Sequence, residues 1–452
     1  MTQLTAPVPT RPPAGIPGED QGGADLDAVA SWATEIAREG VRSIEQVHGA
    51  VAGRVFGALG RTLGPSAAPS RVLHDGIAGG VYAAVRGGVT AAGFAARAYA
   101  ALRPEPLEVG TGRRGGHVWG ALAGAFGDHL DSHHPGLAPE MAVRLDGRDV
   151  PATPEALRAA FPDAAGHVVV FLHGLCETED AWGFHAGITW GDPGETYGRQ
   201  LARAGDWTPV YVRYNTGLHV SENGRRLGAL LHQLVTAWPV PVQRVALVGH
   251  SMGGLVARSA VHQASAHATE QERAWTAGPL DEPVDWTWFV SDVVTLGTPH
   301  LGARLEAAAL TGAHYLHALP ETRPLARALR ARSVGIKDLG HGHLLDEDWQ
   351  AKDLDALRAC DRCTEVPFPS HIRHRAVAAT ITRDPAHPLG RALGDLLVHV
   401  ASAHGTGPAR RIPFETDDCH HVGGAHHFDL LNNRQVSVLL QNWLCPQVVG
   451  TR

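Results

Sequence analysis

Lysine is nearly missing from this chain. Of 39 basic residues only Lys337 and Lys352 are lysine; the rest are arginine. With the surplus of alanine and glycine we read this as compositional bias, not function. Positive charge is not in excess either. A net charge of −7 and a pI near 6.5 offer no basic face, so nucleic acid is not an expected partner. Five cysteines (Cys176, Cys360, Cys363, Cys419 and Cys445) are too few and odd in number for a disulfide framework. No run of 18 or more strongly apolar residues exists, which excludes a spanning helix. Met1 to Gly18 is proline-rich, with no basic and no apolar stretch, and does not read as a signal peptide. A cytoplasmic location is the default expectation.

What is present is a long chain with a core. The 452 residues, 44% hydrophobic, suffice for two or three domains or one decorated domain. Residues 1–24 are rich in Pro, Gly and Thr and are expected to be disordered. From Asp25 apolar residues recur at three- and four-residue steps (Val29, Trp32, Ile36, Ile44, Val47), predicting an amphipathic helix with Asp25 or Asp27 as cap. A second helix is predicted over Val72–Leu102. It carries Gly76, Gly79, Gly80, Gly87, Gly88 and Gly93, which permit close approach of a partner helix. Residues 25–103 thus form a helical extension. Its plainest role is packing on another surface. Any peripheral membrane contact would run through 25–102, although the polar faces lack the dense Lys/Arg of a membrane-surface helix. Oligomeric state is not readable. Residues 104–140 read as a connector, with His129, Asp131, His133 and His134 in a solvated loop.

From Met141 the pattern changes again. Asp146-Gly147 between two short alternating runs signals a hairpin. Apolar runs at 167–172, 208–214, 245–248, 290–296 and 375–382 alternate with helical segments. This predicts an α/β domain over 141–447 with a mostly parallel, doubly covered sheet. A leucine-rich helical insert at 303–350 interrupts the alternation and is placed to cover a site as a lid.

The most informative segment is Gly249-His250-Ser251-Met252-Gly253. It follows the apolar run Val245–Val248 and opens a helical pattern. Glycine at both ends permits a turn too tight for flanking side chains. That turn lifts the serine hydroxyl clear at the top of the sheet, as a nucleophile requires. Acyl transfer builds negative charge on the carbonyl oxygen, so fixed backbone N–H groups are needed. One donor is the residue after the nucleophile, Met252. The other comes from the turn after the early strand, His173-Gly174-Leu175-Cys176, with Leu175 expected and Cys176 the alternative. The substrate is expected to meet His173, Gly174 and His250. The triad acid comes from a later strand end, Asp395 or Asp384. The base comes last, His427 or His426, on a loop that can reach back to Ser251.

Gly-His-Ser-Met-Gly-Gly, the His173-Gly174 turn, Thr295-Leu-Gly-Thr-Pro-His-Leu-Gly302, Gly394-Asp-Leu-Leu-Val398 and His427-Phe-Asp-Leu-Leu431 together resemble an α/β-hydrolase lipase or esterase. The nearest likeness is to bacterial triacylglycerol-lipase-like and PGAP1-like (GPI inositol-deacylase-like) hydrolases. The resemblance covers about 141–447. It implies an α/β-hydrolase fold, with Asp395 as acid and His427 as base. It also implies a lipid or other hydrophobic ester as substrate, and no cofactor. Acyl transfer to an alcohol would use the same machinery, and a lipid-surface or partner-binding role for the N-terminal helices is the reading outside enzymes. Cys360-Asp-Arg-Cys363 is a lone C-x-x-C with no second pair, so no metal site is assigned.

Overall fold

The computed structural model describes residues 21–63, 68–101, 112–274, 285–303, 323, 332–354, 363–384, 386–408 and 410–445. The chain divides into two compact units, one of residues 1–45 and 53–108, the other of 46–52 and 109–452.

The first unit holds most of helix α1 (Gln21–Leu63) and all of α2 (Ala68–Ala101). Helix α1 begins four residues inside the segment expected to be disordered. Once nucleated, a helix extends cheaply over flanking residues, so Asp25 and Asp27 sit within it rather than capping it. An Arg86–Glu45 ion pair and a ring contact between Phe56 and His74 (centroids 5.2 Å apart) join the two helices. Close approach occurs at Gly93 alone, where a Cβ would run into Thr34. The other five glycines expected to mediate packing have nothing within 4 Å. No helix among the described residues is long and apolar enough to cross a membrane.

The second unit is built on an eight-stranded sheet. Its strands are β1 (Ala142–Leu145), β2 (Arg148–Val150), β3 (His167–Leu172), β4 (Trp207–Arg213), β5 (Arg244–His250), β6 (Val290–Leu296), β7 (Arg373–Thr380) and β8 (Cys419–Gly423). Their order is β2-β1-β4-β3-β5-β6-β7-β8. The β1–β2 hairpin is antiparallel, turning through Asp146 and Gly147, both at positive φ as a two-residue hairpin turn needs. From β4 to β8 every pairing is parallel. The sheet is covered on both faces. Val168, Val170, Val245 and Leu247 point into a core with Leu227, Leu231, Leu255 and Val256. Val169, Phe171, Ala246 and Val248 point into another with Tyr197, Leu201, Val436 and Leu440. Edge strand β8, with two of its five residues histidine, carries no continuous apolar run and was not expected.

The remaining helices are α3 (Gly112–His133), α4 (Pro154–Ala160), α5 (Ala186–Trp190), α6 (Tyr197–Gly205), α7 (Val220–Ala237), α8 (Met252–Ala274), α9 (Val334–His341), α10 (Asp346–Trp349), α11 (Pro388–Leu393), α12 (Val400–Ala403) and α13 (Arg434–Leu444). Two expectations change here. The 104–140 connector contains helix α3, and His129, Asp131 and His133 belong to its last turns rather than to a loop. Gly116, Gly120, Gly124 and Gly127 are tolerated because each lies against a neighbouring segment, at Asp180, Cys176, Glu177 or Asn215. The expected lid is described only in part, since 304–322 and 324–331 lie outside the described residues. Within it, α9 and the residue before it are hydrogen-bonded to the rest of the unit. Ser333 Oγ donates to Gly124 O at 2.5 Å and Val334 N–H to Asp128 Oδ2 at 3.0 Å. Asp338 accepts from Val220 N–H at 2.9 Å and faces His219 and His343.

Candidate active site

Strand β5 runs through the middle of the sheet and stops at Ser251, which sits at φ 51°. That is left-handed backbone, uncommon for a residue with a side chain and held only where its surroundings over-determine it. Ser251 N–H donates to Leu296 O at 2.8 Å, and Thr298 Oγ1 donates to Ser251 O at 2.9 Å. A Cβ at Gly249 would strike the backbone of Gly253 and Gly254, and one at Gly253 would strike Leu172 O. Both glycines are therefore required by the turn itself.

Asp395 and His427, 32 residues apart in sequence, meet at the same end of the sheet. His427 Nδ1 lies 2.7 Å from Asp395 Oδ2. His427 N–H also donates to Asp395 O at 3.0 Å. The other carboxylate oxygen accepts from Leu397 N–H (2.9 Å) and Val398 N–H (2.7 Å). Burial opposes the carboxylate charge, but the His427 ring and these two amides outweigh it and hold Asp395 below its ordinary range. With Nδ1–H committed to Asp395, Nε2 of His427 is the nitrogen left to exchange a proton. Asp384 lies in an exposed turn, its Oδ1 accepting from Ala386 N–H. His426 is half-exposed and faces Asp429 at 3.2 Å.

Ser251 and His427 open on one cavity of about 290 Å³. Its walls are mostly apolar: Pro299, Ala303, Ile336, Leu339, Val398 and Phe428 among them. The loop after β3 supplies Leu175 and Glu177. Among this loop's amides, Gly174 N–H is taken by Glu177 Oε2 (2.6 Å) and Cys176 N–H by Thr216 Oγ1 (3.3 Å). Among the described residues the N–H groups of Leu175 and Met252 have no hydrogen-bond partner. This separates Leu175 from Cys176 as a candidate donor.

His173, Gly174 and His250 do not line the cavity, contrary to expectation. The strand ends bury them behind it. His173 is a strut: its Nδ1–H donates to Gly174 O (3.0 Å), its Nε2 accepts from Tyr214 N–H (3.4 Å), and its ring stacks on Tyr214. Burial keeps it below its ordinary pKa and neutral.

Two contributors escaped the sequence reading. The first is Glu177. Its carboxylate lies 3.1 Å from His250 Nδ1, and His250 Nε2 donates to His427 O at 3.2 Å. Burial disfavours charge on both side chains, yet each stabilises the other. His250 is held above its ordinary pKa and Glu177 below. This ion pair ties the β3 loop to the loop that carries His427. The second is α3, whose glycines press on the β3 loop. A Cβ at Gly120 would lie 2.9 Å from both Cys176 O and Glu177 O, and one at Gly124 would lie 3.0 Å from Cys176 Cα. The four-residue spacing Gly116-Gly120-Gly124 was the signal available in sequence.

No metal is needed by this arrangement. Cys363 Sγ donates to His341 O at 3.4 Å, and Cys360 lies outside the described residues.

Residues 162–344 match a family model described as "Putative serine esterase (DUF676)". The sheet order and its covering helices are those of an α/β-hydrolase fold, and its central part is similar to that serine-esterase family. The matched segment of this hydrolase runs from just before β3 to just past α9. It includes Ser251 but ends before Asp395 and His427, which stand on geometry alone. No curated protein matches the chain. Solved structures similar to it include lipase 1 from Pelosinus fermentans, 15% identical, covering 60% of this chain and 95% of that one at a TM-score of 0.32. Staphylococcus hyicus lipase is 14% identical over 62% of this chain and 94% of its own, TM-score 0.34. Phospholipase PlaB from Legionella pneumophila is 15% identical over 58% and 53%, TM-score 0.32.

Proposed function

We propose that this hydrolase cleaves carboxylic esters with a hydrophobic acyl group through a Ser251–His427–Asp395 triad. The observation that carries the reading is the Asp395–His427 pair at 2.7 Å beside an apolar cavity that also contains Ser251. Ser251 Oγ attacks the acyl carbon while His427 Nε2 takes its proton. The carbonyl π electrons move to oxygen, and the Leu175 and Met252 N–H groups receive the oxyanion. On collapse the C–O bond to the alcohol breaks, and His427 returns the proton to the departing oxygen. Water, deprotonated by His427, then attacks the acyl-enzyme and releases acid and free serine. Asp395 holds the imidazole in the required tautomer and offsets its charge. Each oxyanion donor is worth about 10²–10³-fold in rate.

The apolar wall supports an aliphatic acyl chain over a polar one, because a methylene buried there gains about 0.8 kcal/mol. Assay of p-nitrophenyl esters from acetyl to palmitoyl, with wild type and Ser251→Ala, tests both parts. The expected result is kcat/KM rising with chain length and vanishing in the variant. Equal rates for wild type and variant at every length would overturn the reading. A preference for acetyl would remove only the hydrophobic acyl group.

A further inference from the structure

Arg258 lies on α8, seven residues beyond Ser251, and is 3% exposed. A buried guanidinium is expected to find a carboxylate, since an uncompensated interior charge is costly. Arg258 has none among the described residues. Its Nη1 donates to His300 Nδ1 at 3.0 Å, its face covers the Phe368 ring at 5.3 Å, and its Nε has no hydrogen-bond partner. The histidines around it do not supply negative charge. His300 accepts from Arg258 through Nδ1, so Nε2 keeps its proton and donates to Thr295 Oγ1 at 3.1 Å. His374 stacks on the same Phe368 ring, centroids 3.8 Å apart, and neither of its buried ring nitrogens has a hydrogen-bond partner among the described residues. Burial holds both histidines well below their ordinary pKa, so they are neutral. Burial and the nearby Arg410 draw Arg258 down to about 9, which still leaves it charged at pH 7.

Arg258 borders a small cavity together with His300, Arg410 and Arg411, with the exposed Glu365 at its rim. Arg410 Nη2 donates to His300 O at 2.7 Å and to His341 O at 3.1 Å, which fixes its guanidinium there. The enclosed space is about that of a water molecule, too small for a lipid headgroup. We propose that this cavity binds a small inorganic anion of chloride size, held by the Arg258 guanidinium between α8 and the 410–413 segment. The ion supplies the charge that the buried arginine lacks. It also fixes the segment after β6, where Pro299 lines the acyl cavity and its neighbour His300 lines this one.

The test is a halide series on the full chain. Thermal unfolding is followed in sodium gluconate progressively replaced by sodium chloride or bromide at constant ionic strength, and bromide-soaked crystals are measured at the bromine absorption edge. A tenfold excess of halide over its Kd is expected to raise Tm by about 2 °C. The rise is expected to disappear in Arg258→Met, and an anomalous peak is expected in the cavity. Equal Tm in gluconate and halide for the wild type overturns the proposal, as does a cavity without bromide. Both wild-type readouts decide the matter even if Arg258→Met does not fold.

Discussion

Helices α2 and α3 are both glycine-rich, and their glycines do opposite things. In α2, Gly76, Gly79, Gly80, Gly87 and Gly88 face open space, and large apolar side chains on the same helix stay exposed, Phe94 at 75%. In α3, Gly116, Gly120, Gly124 and Gly127 each face the catalytic unit, against Asp180, Cys176, Glu177 and Asn215. Composition alone ranks the two helices alike. What separates them is whether a backbone approaches where the Cβ would be. In α3 it does, and the surface pressed upon is the loop that carries Leu175.

Four predictions break or sharpen this contrast. The largest effects lie where the catalytic unit concentrates its chemistry. Asp395→Asn keeps the shape but is expected to lower kcat by about 10⁴-fold, as loss of the tautomer-setting carboxylate does elsewhere. Asp384→Asn is expected to stay within about twofold; kinetics on a medium-chain ester distinguish the two. Next comes α3. Gly124→Val places side-chain atoms against Cys176, displaces Leu175, and is expected to cost about 10²-fold in kcat, the worth of one oxyanion donor. A steady-state comparison in which only KM rises would show that α3 shapes the pocket and not the donor.

The Glu177–His250 brace is expected to matter less for rate and more for pH. His250 has a folded pKa raised above 6.5, so its contribution is full below 6.5 and lost as pH rises through the raised value. Glu177 is lowered below 4.5, so its contribution is present above 4.5 and lost as pH falls through the lowered value. Glu177→Gln leaves a buried imidazole without its counter-charge and is expected to cost about 3 kcal/mol near pH 6. The gap should narrow at alkaline pH as wild-type His250 discharges. Unfolding curves from pH 5 to 10 that run parallel would argue against the ion pair. The smallest effect belongs to α2. Gly80→Ala meets nothing within 4 Å and is expected to stabilise its helix by about 1 kcal/mol with activity unchanged. A loss of activity there would mean that the two helices are not so different.

Much of the site was legible because its constraints are local. Gly249 and Gly253 announce the turn by themselves, and the apolar runs that became β3 to β7 are long enough to read. Asp395 could not be separated from Asp384 by residue type. The family resemblance pointed to Asp395, and the structure brings it to 2.7 Å from His427. Glu177 was illegible, since its partner His250 lies 73 residues away and either residue alone reads as ordinary. Helix α3 was missed because glycine propensity argues against it, and tertiary contact overrides propensity. Strand β8 was missed because an edge strand with histidines has no apolar signature.

The most direct test of the triad is labelling with a long-chain alkyl fluorophosphonate, followed by peptide mass spectrometry. Attack by an activated serine on phosphorus, with loss of fluoride, is expected to leave one adduct, on Ser251. It should be absent in Ser251→Ala and slowed by orders of magnitude in Asp395→Asn. An unlabelled Ser251, or one labelled equally fast without Asp395, would contradict the account.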